Sequence, residues 1–419
     1  MEKLQTIYGR ILLLEDDCWW LLAQERRYQM TPLFPSMVPG DLVQVEAIQS
    51  SDTQWEATSF QTLTPYGGEG HFPDSDSDWA YLHRAEGPNL GVLRHMAKIR
   101  NQIRTFFDTR GFLEVDTPAI GSSPGLEVHL EAMEVKSRWE PEGPIRSKWL
   151  MTSPEYHMKR LLTADFENIY QLARAYRSGE TGAHHHPEFL MLEWYRSFSN
   201  WESGPEDTCK LVQFLAEQIC GSHQIPGWRE PVHVGGKWES FTIGESFQEW
   251  AGFDPGDFSD TLLLKRKGEE IGIRFSPEET TNADFIVRIL VEKVEPNLPG
   301  DRPFVLTHYP MSVASLAQPS KDIPGTAERF EIYLGGLELA NGFGELTNWK
   351  EQELRFLEDL EDRKRRGLPA YPVDERFLQS LRNGMPPSMG IALGVERLAM
   401  GLLGLSELTQ LLPFPSTRM

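Results

Sequence analysis

Residues 168 to 196 read Asn-Ile-Tyr-Gln-Leu-Ala-Arg-Ala-Tyr-Arg-Ser-Gly-Glu-Thr-Gly-Ala-His-His-His-Pro-Glu-Phe-Leu-Met-Leu-Glu-Trp-Tyr-Arg, and this stretch leaves the chain little freedom. Two apolar and aromatic runs flank a polar loop with two glycines, which is the composition of a long antiparallel hairpin. Side chains alternate along a strand. Ala173, Ala175 and Arg177 therefore share one face of the incoming strand, and Met191, Glu193 and Tyr195 share one face of the outgoing strand. If those faces coincide, small alanines leave room above the sheet while an arginine, a carboxylate and a phenol converge on that space. An arginine offers a planar fork for a phosphate, and the loop histidines can reach further phosphate oxygens. Taken alone, the stretch also suits an ordinary hairpin whose histidine-rich tip scavenges metal.

Three more segments carry chemistry. Between Arg329 and Thr347, Gly335-Gly336 separates two alternating runs, a strong two-residue turn signal. That turn pairs Leu334 with Leu337, Tyr333 with Glu338, and Glu331 with Ala340, so Glu331 and Glu338 fall on one face about 7 Å apart at the backbone. Two such carboxylates repel unless a cation lies between them. Beside a phosphate they suit Mg²⁺ that keeps several waters, and otherwise they form a solvent-facing acidic strand. Met389 to Gly404 is a small-residue strand turning into a helix with Arg397 near its start, where glycines let a nucleotide approach the backbone. Lys148 to Arg160 runs from strand into helix, with Ser153 as the cap and Pro154 in the first turn. Glu155 in that turn complements the helix dipole.

In this order the motifs resemble those of class II aminoacyl-tRNA synthetases, in the version used by the lysyl enzymes. They are closer still to the elongation factor P lysine ligases, a shortened branch that attaches a β-lysyl group to a protein lysine. Arg177, Glu180, His185, Pro187, Glu188 and Phe189, leading into Met-Leu-Glu-Trp-Tyr, are similar to motif 2. The helical run from Asn89, ended by Gly111 and followed by Phe112 to Pro118, is similar to motif 1, which builds the dimer in that family. Met389 to Gly404 is similar to motif 3, and the likeness covers about residues 88 to 415.

The resemblance implies an α+β class II catalytic domain, an antiparallel sheet flanked by helices, that works as a homodimer with ATP and Mg²⁺. It implies ATP contacts from Arg177, Ser178, Gly179, Glu180, His185, His186 and Phe189. Glu338, Leu339, Gly394 and Arg397 complete that set, with Arg177, Glu338 and Arg397 as the catalytic groups and Glu331 and Glu338 as metal ligands. For the amino acid it implies Ser153, Pro154 and Glu155, then Glu193 and Tyr195, and finally Asn341, Glu345 and Ala392. The substrate is then lysine or β-lysine, activated as an adenylate and passed to an acceptor amine. A lysyl-tRNA synthetase and a non-catalytic binding protein on the same scaffold are the alternatives.

Several positions depart from the lysyl-tRNA synthetase pattern. The usual Arg-Asn-Glu of motif 2 is Arg177-Ser178-Gly179 followed by Glu180, Ala183 stands where the loop often has arginine, and His186 replaces an asparagine. Ala-Ser-Leu-Ala-Gln318 is similar to the ligases, where lysyl-tRNA synthetases typically end in lysine. Ala392 stands where those synthetases have glycine. The ligases share this alanine, whose extra methyl reshapes the amino-acid site away from ordinary α-lysine.

Ahead of the likeness, residues 1 to 64 break into short strand-like pieces at Thr6 to Leu14, Cys18 to Ala23, Leu42 to Ala47 and Trp55 to Leu63. This is the spacing of a small barrel of oligonucleotide-binding type, in which one of Trp19 and Trp20 faces inward. Gly, Ser and Asp make residues 65 to 87 a linker, and residues 88 to 419 the catalytic domain. Near the end, Thr347 to Gly367 reads as a helix with Leu354, Phe356, Leu357 and Leu360 as its buried stripe and Lys364-Arg365-Arg366 at its C-terminal end.

With 41 basic against 62 acidic residues the formal charge is -21. A protein that grips RNA concentrates positive charge, so a protein acceptor, elongation factor P, fits better than tRNA, although solubility alone also explains an acidic surface. No run of about 18 apolar residues is present and the start has no signal-peptide pattern, which together suggest a cytoplasmic protein without a membrane partner. Cys18, Cys209 and Cys220 lack paired spacing and read as free thiols.

Overall fold

Alternating burial closes the first strands on themselves. β1 (Gln5–Leu14), β2 (Trp19–Ala23), β3 (Arg26–Thr31), β4 (Leu42–Gln49) and β5 (Gln54–Thr64) form a closed barrel in the order β1-β2-β3-β5-β4. β1 pairs antiparallel with β2 and β4, while β3 runs parallel to β5, the connectivity of an oligonucleotide-binding fold. Ile11, Trp19, Leu21, Met30, Val43 and Val45 fill its interior. Trp19 is buried and Trp20 half-buried, as alternation requires. The sequence pattern misses β3, because Arg26, Arg27 and Gln29 hide a strand in which Met30 alone is fully buried.

The structure, a computed structural model, describes residues 3–418 except 16, 52–53, 69–70, 85–86 and 257. Positions 69–70 and 85–86 of the expected linker, and the first two residues of the chain, therefore lie outside the described residues. The chain divides into two compact units, Met1–Arg94 and His95–Met419, at a point inside the helix Leu90–Asp108. All three cysteines are free. Among the described residues no helix is long and apolar enough to cross a membrane.

The second unit is organised on an eight-stranded sheet. In chain order its edge strand β6 is Leu113–Glu114. A three-stranded sheet follows, made of β7 (Ile120–Gly121), β8 (Glu134–Arg138) and β9 (Ile145–Leu150). Then come the expected hairpin of β10 (Asn168–Tyr176) and β11 (Glu188–Ser197), a short pair β12 (Gln224–Ile225) and β13 (Val232–His233), and β14 (Glu239–Thr242). β15 (Pro303–Thr307), β16 (Arg329–Leu334), β17 (Leu337–Gly344) and β18 (Ser388–Gly394) complete the set. The large sheet runs β14-β15-β16-β17-β18-β11-β10-β6, antiparallel inside and parallel at both edges. Helices including Glu155–Leu162, Ser203–Cys220 and Trp349–Arg365 surround it, so the α+β expectation holds.

In the first hairpin Ala173 opposes Met191 and Gln171 opposes Glu193, so the two expected faces do coincide. The second hairpin turns at Gly335-Gly336 as expected and pairs Leu334 with Leu337 and Tyr333 with Glu338. Beyond that point the expected register fails. A bulge inserts Leu339, so Ile332 opposes Ala340, and Glu331 opposes Asn341 rather than Ala340. A bulge puts two residues against one and bends the strand, and pairwise turn chemistry cannot foresee it.

The helix Trp349–Arg365 also differs from its expected stripe. Phe356 is buried, but Leu354 and Leu357 are 60% and 55% exposed. Its inward face is Gln352, Phe356 and Arg363, because hydrogen bonds make Arg363 compatible with burial. Arg363 donates from Nε to the Pro369 carbonyl at 2.9 Å and from Nη1 to the carbonyls of Glu127 and Leu130, each at 2.9 Å. Its guanidinium also lies 4.3 Å from the Tyr371 ring centroid. The basic cluster does more than cap a helix end, since Arg366 pairs with Asp284 and Arg365 donates to Thr280 on the neighbouring segment.

Arg363→Met should leave the carbonyls of Pro369, Glu127 and Leu130 without this donor and lower the unfolding free energy by about 3 kcal/mol. Denaturant titration of the two proteins measures this. An unchanged midpoint would mean that water replaces the arginine without cost.

Candidate active site

Strand register assembles one wall of the site. Gln171 opposes Glu193, Glu193 opposes Ala392, Ala392 opposes Asn341, and Asn341 opposes Glu331. Directly paired residues share a face, so these five side chains stand in one row across five strands. Glu338 joins the same face because it opposes Tyr333, two residues beyond Glu331. Glu338 and Asn341 are three residues apart and would alternate in a regular strand; the bulge at Leu339, itself buried, brings them to one side. The next row is Tyr195, Gly390, Phe343 and Arg329. A Cβ at Gly390 would lie 2.1 Å from Glu345 Oε1 and 2.3 Å from the Tyr195 ring, so the close approach of those groups requires glycine there.

The end of the row at Glu193 is acidic and buried. Ser153 donates its hydroxyl to Glu193 Oε1 at 2.5 Å and accepts the Glu155 amide at 3.0 Å. The helix itself begins at Glu155, one position later than a Ser153 cap implies, with Pro154 ahead of it. Tyr195 donates to Glu193 Oε2 at 3.1 Å. Burial and the neighbouring Glu155 push the Glu193 carboxyl up to about 8. Burial pushes Glu345 up to about 7 against the pull of Lys159. Glu127, half-buried near them, is raised to about 7 by lost hydration and by Glu155. Lys159 lies at the centre, its Nζ 2.5 Å from both Glu155 Oε1 and Glu345 Oε2. Glu345 Oε2 is paired with that ammonium, while Glu345 Oε1 has no hydrogen-bond partner. Asn341 Oδ1 is also buried without a partner. Acceptors left open in this way call for donors from a ligand.

The other end suits phosphate. Arg177 follows β10, its guanidinium lying 5.1 Å from the Phe189 ring centroid and its Nη1 3.6 Å from Glu180 Oε1. Its Nε is buried without a partner. Ser178 donates its amide to the Glu131 carbonyl at 2.7 Å, and Gly179 turns the loop at φ 76°. Arg397, two residues into the helix after Gly394, donates to the Glu338 carbonyl at 2.7 Å and meets His185 Nε2 at 2.7 Å. His186 behaves differently from the expected nucleotide contact. Its ring is buried, Nδ1 meets the Glu188 carbonyl at 2.6 Å, and Nε2 accepts the Ser416 amide at 2.9 Å. Both nitrogens are thus engaged inside the protein, and with Leu408 donating to the Ala183 carbonyl they tie the C-terminal segment to the loop.

Glu331 accepts from Arg329 at 2.6 Å and from the Tyr333 hydroxyl at 2.8 Å. Glu338 keeps 42% of its side chain exposed but is walled by protein, and that enclosure together with Glu331 raises its pKa against Arg397 and Arg177. Among the described residues no group of three or more His, Cys, Asp or Glu is placed to hold a metal. The pair nevertheless fits Mg²⁺, which binds through one or two carboxylates and completes its shell with water and phosphate. Glu331 and Glu338 would hold it.

The sequence reading missed Lys159, Glu127, Arg329, Tyr333, Glu295 and Gly390. Lys159 had a signal, since Glu155 and Lys159 stand four apart in a helix and so share a face. Glu295 had none; it lies 3.3 Å from the Tyr333 hydroxyl, and burial with Glu331 raises it to about 7.

Residues 77–418 match the family described as "tRNA synthetases class II (D, K and N)". The chain is 38% identical over 331 residues to the elongation factor P–(R)-β-lysine ligase of Proteus mirabilis, covering 79% of this chain and 96% of that protein. It is 38% identical over 327 residues to the ligase of the same name from Avibacterium paragallinarum, covering 78% and 95%. For the one from Mannheimia succiniciproducens the figures are 39% over 319 residues, covering 76% and 93%.

The raised Glu193 carboxyl has a consequence for stability. The folded state holds a proton that the unfolded chain releases at about pH 4.3. The contribution is full below that pH and is lost as pH rises through about 8. The stability of the ligand-free protein relative to Glu193→Gln should therefore fall between pH 6 and pH 9, and titration of the histidines cancels in the difference. Melting temperatures of the two proteins across that range test it, and a constant difference would mean that the carboxyl titrates normally.

Proposed function

Because the chain belongs to the family of class II tRNA synthetases of the D, K and N type, we propose that it is an ATP-dependent, AMP-forming ligase. It activates a lysine-like amino acid, (R)-β-lysine in particular, and transfers it to a lysine side chain of elongation factor P. The observation that carries this reading is the cluster of acids, where Glu155, Glu193 and Glu345 stand together and Glu345 Oε1 and Asn341 Oδ1 are buried without hydrogen-bond partners. A diamino acid brings two ammonium groups to such a wall. Ala392 stands between Glu193 and Asn341 in the row, and its methyl supports discrimination against α-lysine. The names carried by the similar proteins support the same substrate and acceptor. The reading includes a homodimer and a cytoplasmic location.

In the first step the amino-acid carboxylate attacks the α-phosphate of ATP, and the bond to pyrophosphate breaks. Arg177 presents its open Nε and its fork to the charge that develops there, while Arg397, held by Glu338 and His185, meets the far phosphates. Mg²⁺, when bound at Glu331 and Glu338, neutralises phosphate charge. Arg329 and Tyr333 fix the position of Glu331. In the second step the neutral amine of the acceptor attacks the acyl carbon, AMP leaves, and the amine gives up a proton. No side-chain nucleophile takes part.

The test offers the full-length enzyme elongation factor P and tRNA together at physiological salt, with Mg²⁺-ATP and either lysine isomer. Mass spectrometry should show elongation factor P gaining one lysyl residue, more efficiently from (R)-β-lysine than from α-lysine, with tRNA unchanged. If lysine appears on tRNA and elongation factor P gains no mass, the proposal is wrong and the chain is a lysyl-tRNA synthetase.

A further inference from the structure

Lys159 has no part in the reaction just described, yet it stands among the acids proposed to bind the amino acid. Its side chain is 1% exposed and its Nζ is 2.5 Å from each of Glu155 and Glu345. An ammonium is costly to bury and needs a paired carboxylate to be tolerated at all. Here it has two, and both belong to the wall that faces the substrate. We propose that Lys159 is a positioning residue that sets the net charge of the pocket, holding Glu155 and Glu345 in place so that the wall matches an amino acid with two ammonium groups. This rests on the ligase reading and adds the device by which the site selects a diamino acid.

The charges around Lys159 come from several elements. Glu155 precedes it by one helical turn, Glu193 stands on β11, and Glu345 follows β17. Once all three acids are ionised, three carboxylates less one ammonium leave two negative charges, one for each ammonium of the substrate, and the substrate displaces the protons held at Glu193 and Glu345. Glu127 comes next and faces Arg177 as well as Lys159. Asp359, on the helix Trp349–Arg365, is countered by Arg355 and Arg363. Tyr156 and Tyr195 keep their protons, since burial raises both phenols well above their ordinary values. Lys159 lowers the pKa of Glu127, Glu193 and Glu345, while burial and Glu155 raise all three. Without the ammonium these acids ionise only at higher pH. The substrate's ammonium groups would then have more protons to displace at neutral pH. The unpartnered Glu345 Oε1, tucked against the missing Cβ of Gly390, is the acceptor left for the substrate.

The experiment measures (R)-β-lysine-dependent pyrophosphate exchange from pH 5.5 to 9.0 for wild type, Lys159→Met and the double variant Lys159→Met/Glu155→Gln. In Lys159→Met the acidic limb of kcat/KM should move up by about one pH unit. KM at pH 7 should rise about tenfold while kcat changes much less, because the reacting carboxylate and phosphate lie at the Arg177 end. The double variant again has two net negative charges and removes a buried pair together, so it should fold and its limb should return toward that of wild type. A Lys159→Met enzyme that loses kcat with an unmoved limb would overturn the proposal, because that is the signature of a purely structural lysine. Should the single variant not fold, a limb in the double variant displaced well above that of wild type overturns it equally. Absence of exchange in the wild type would instead count against the ligase reading itself.

Discussion

Carboxylates enclosed away from water must find positive charge or take up protons, and this cleft is arranged so that its own cations are too few. Glu155, Glu193 and Glu345 share one internal ammonium at the amino-acid end. Glu331 and Glu338 share Arg329 and Arg397 at the phosphate end, where Glu295 adds a further carboxyl. The raised values at Glu193, Glu295 and Glu345 are the mark of that shortage. In the proposed function the deep end meets the organic ammonium groups of the substrate, and the shallow end meets a hard metal ion carried with phosphate.

The sheet makes the arrangement rigid. Five strands contribute one residue each to the row from Gln171 to Glu331, and the spacing along that row is fixed by backbone hydrogen bonds rather than by side-chain choice. The bulge at Leu339 turns Glu338 toward the row, and so the pairing of Glu338 with Glu331 on one face depends on a local break in the register. The loop between β10 and β11 meets Arg397 through His184 and His185. It is anchored from outside by His186 and Ala183, which bind the C-terminal segment through Ser416 and Leu408. That anchoring explains how a loop lacking the arginine and asparagine usual at two of its positions keeps a defined shape.

Much of this was legible in the sequence, and what was not has physical reasons. The alternation of β10 and β11 fixed which residues share a face, and the Gly335-Gly336 turn fixed the first two pairs of the second hairpin. The order of the motifs carried the fold class. The bulge was hidden because an inserted residue leaves no trace in an alternating pattern until pairing is seen. Arg363 and Lys159 were hidden for another reason. Charged residues read as surface, and only the carbonyls and carboxylates brought to them by distant segments make their burial tolerable. The helix stripe was misread in consequence, since Leu354 and Leu357 look like core and Arg363 does not.

In the proposed function Glu193 and Glu345 wait, partly protonated, for the ammonium groups of a diamino acid. Calorimetric titration of the ligand-free enzyme with (R)-β-lysine at pH 7, repeated in buffers of different ionisation enthalpy, counts the protons exchanged on binding. With Glu193 held at about 8 and Glu345 at about 7, binding should release protons, on the order of one per site. Binding without release, or with uptake, would contradict the account.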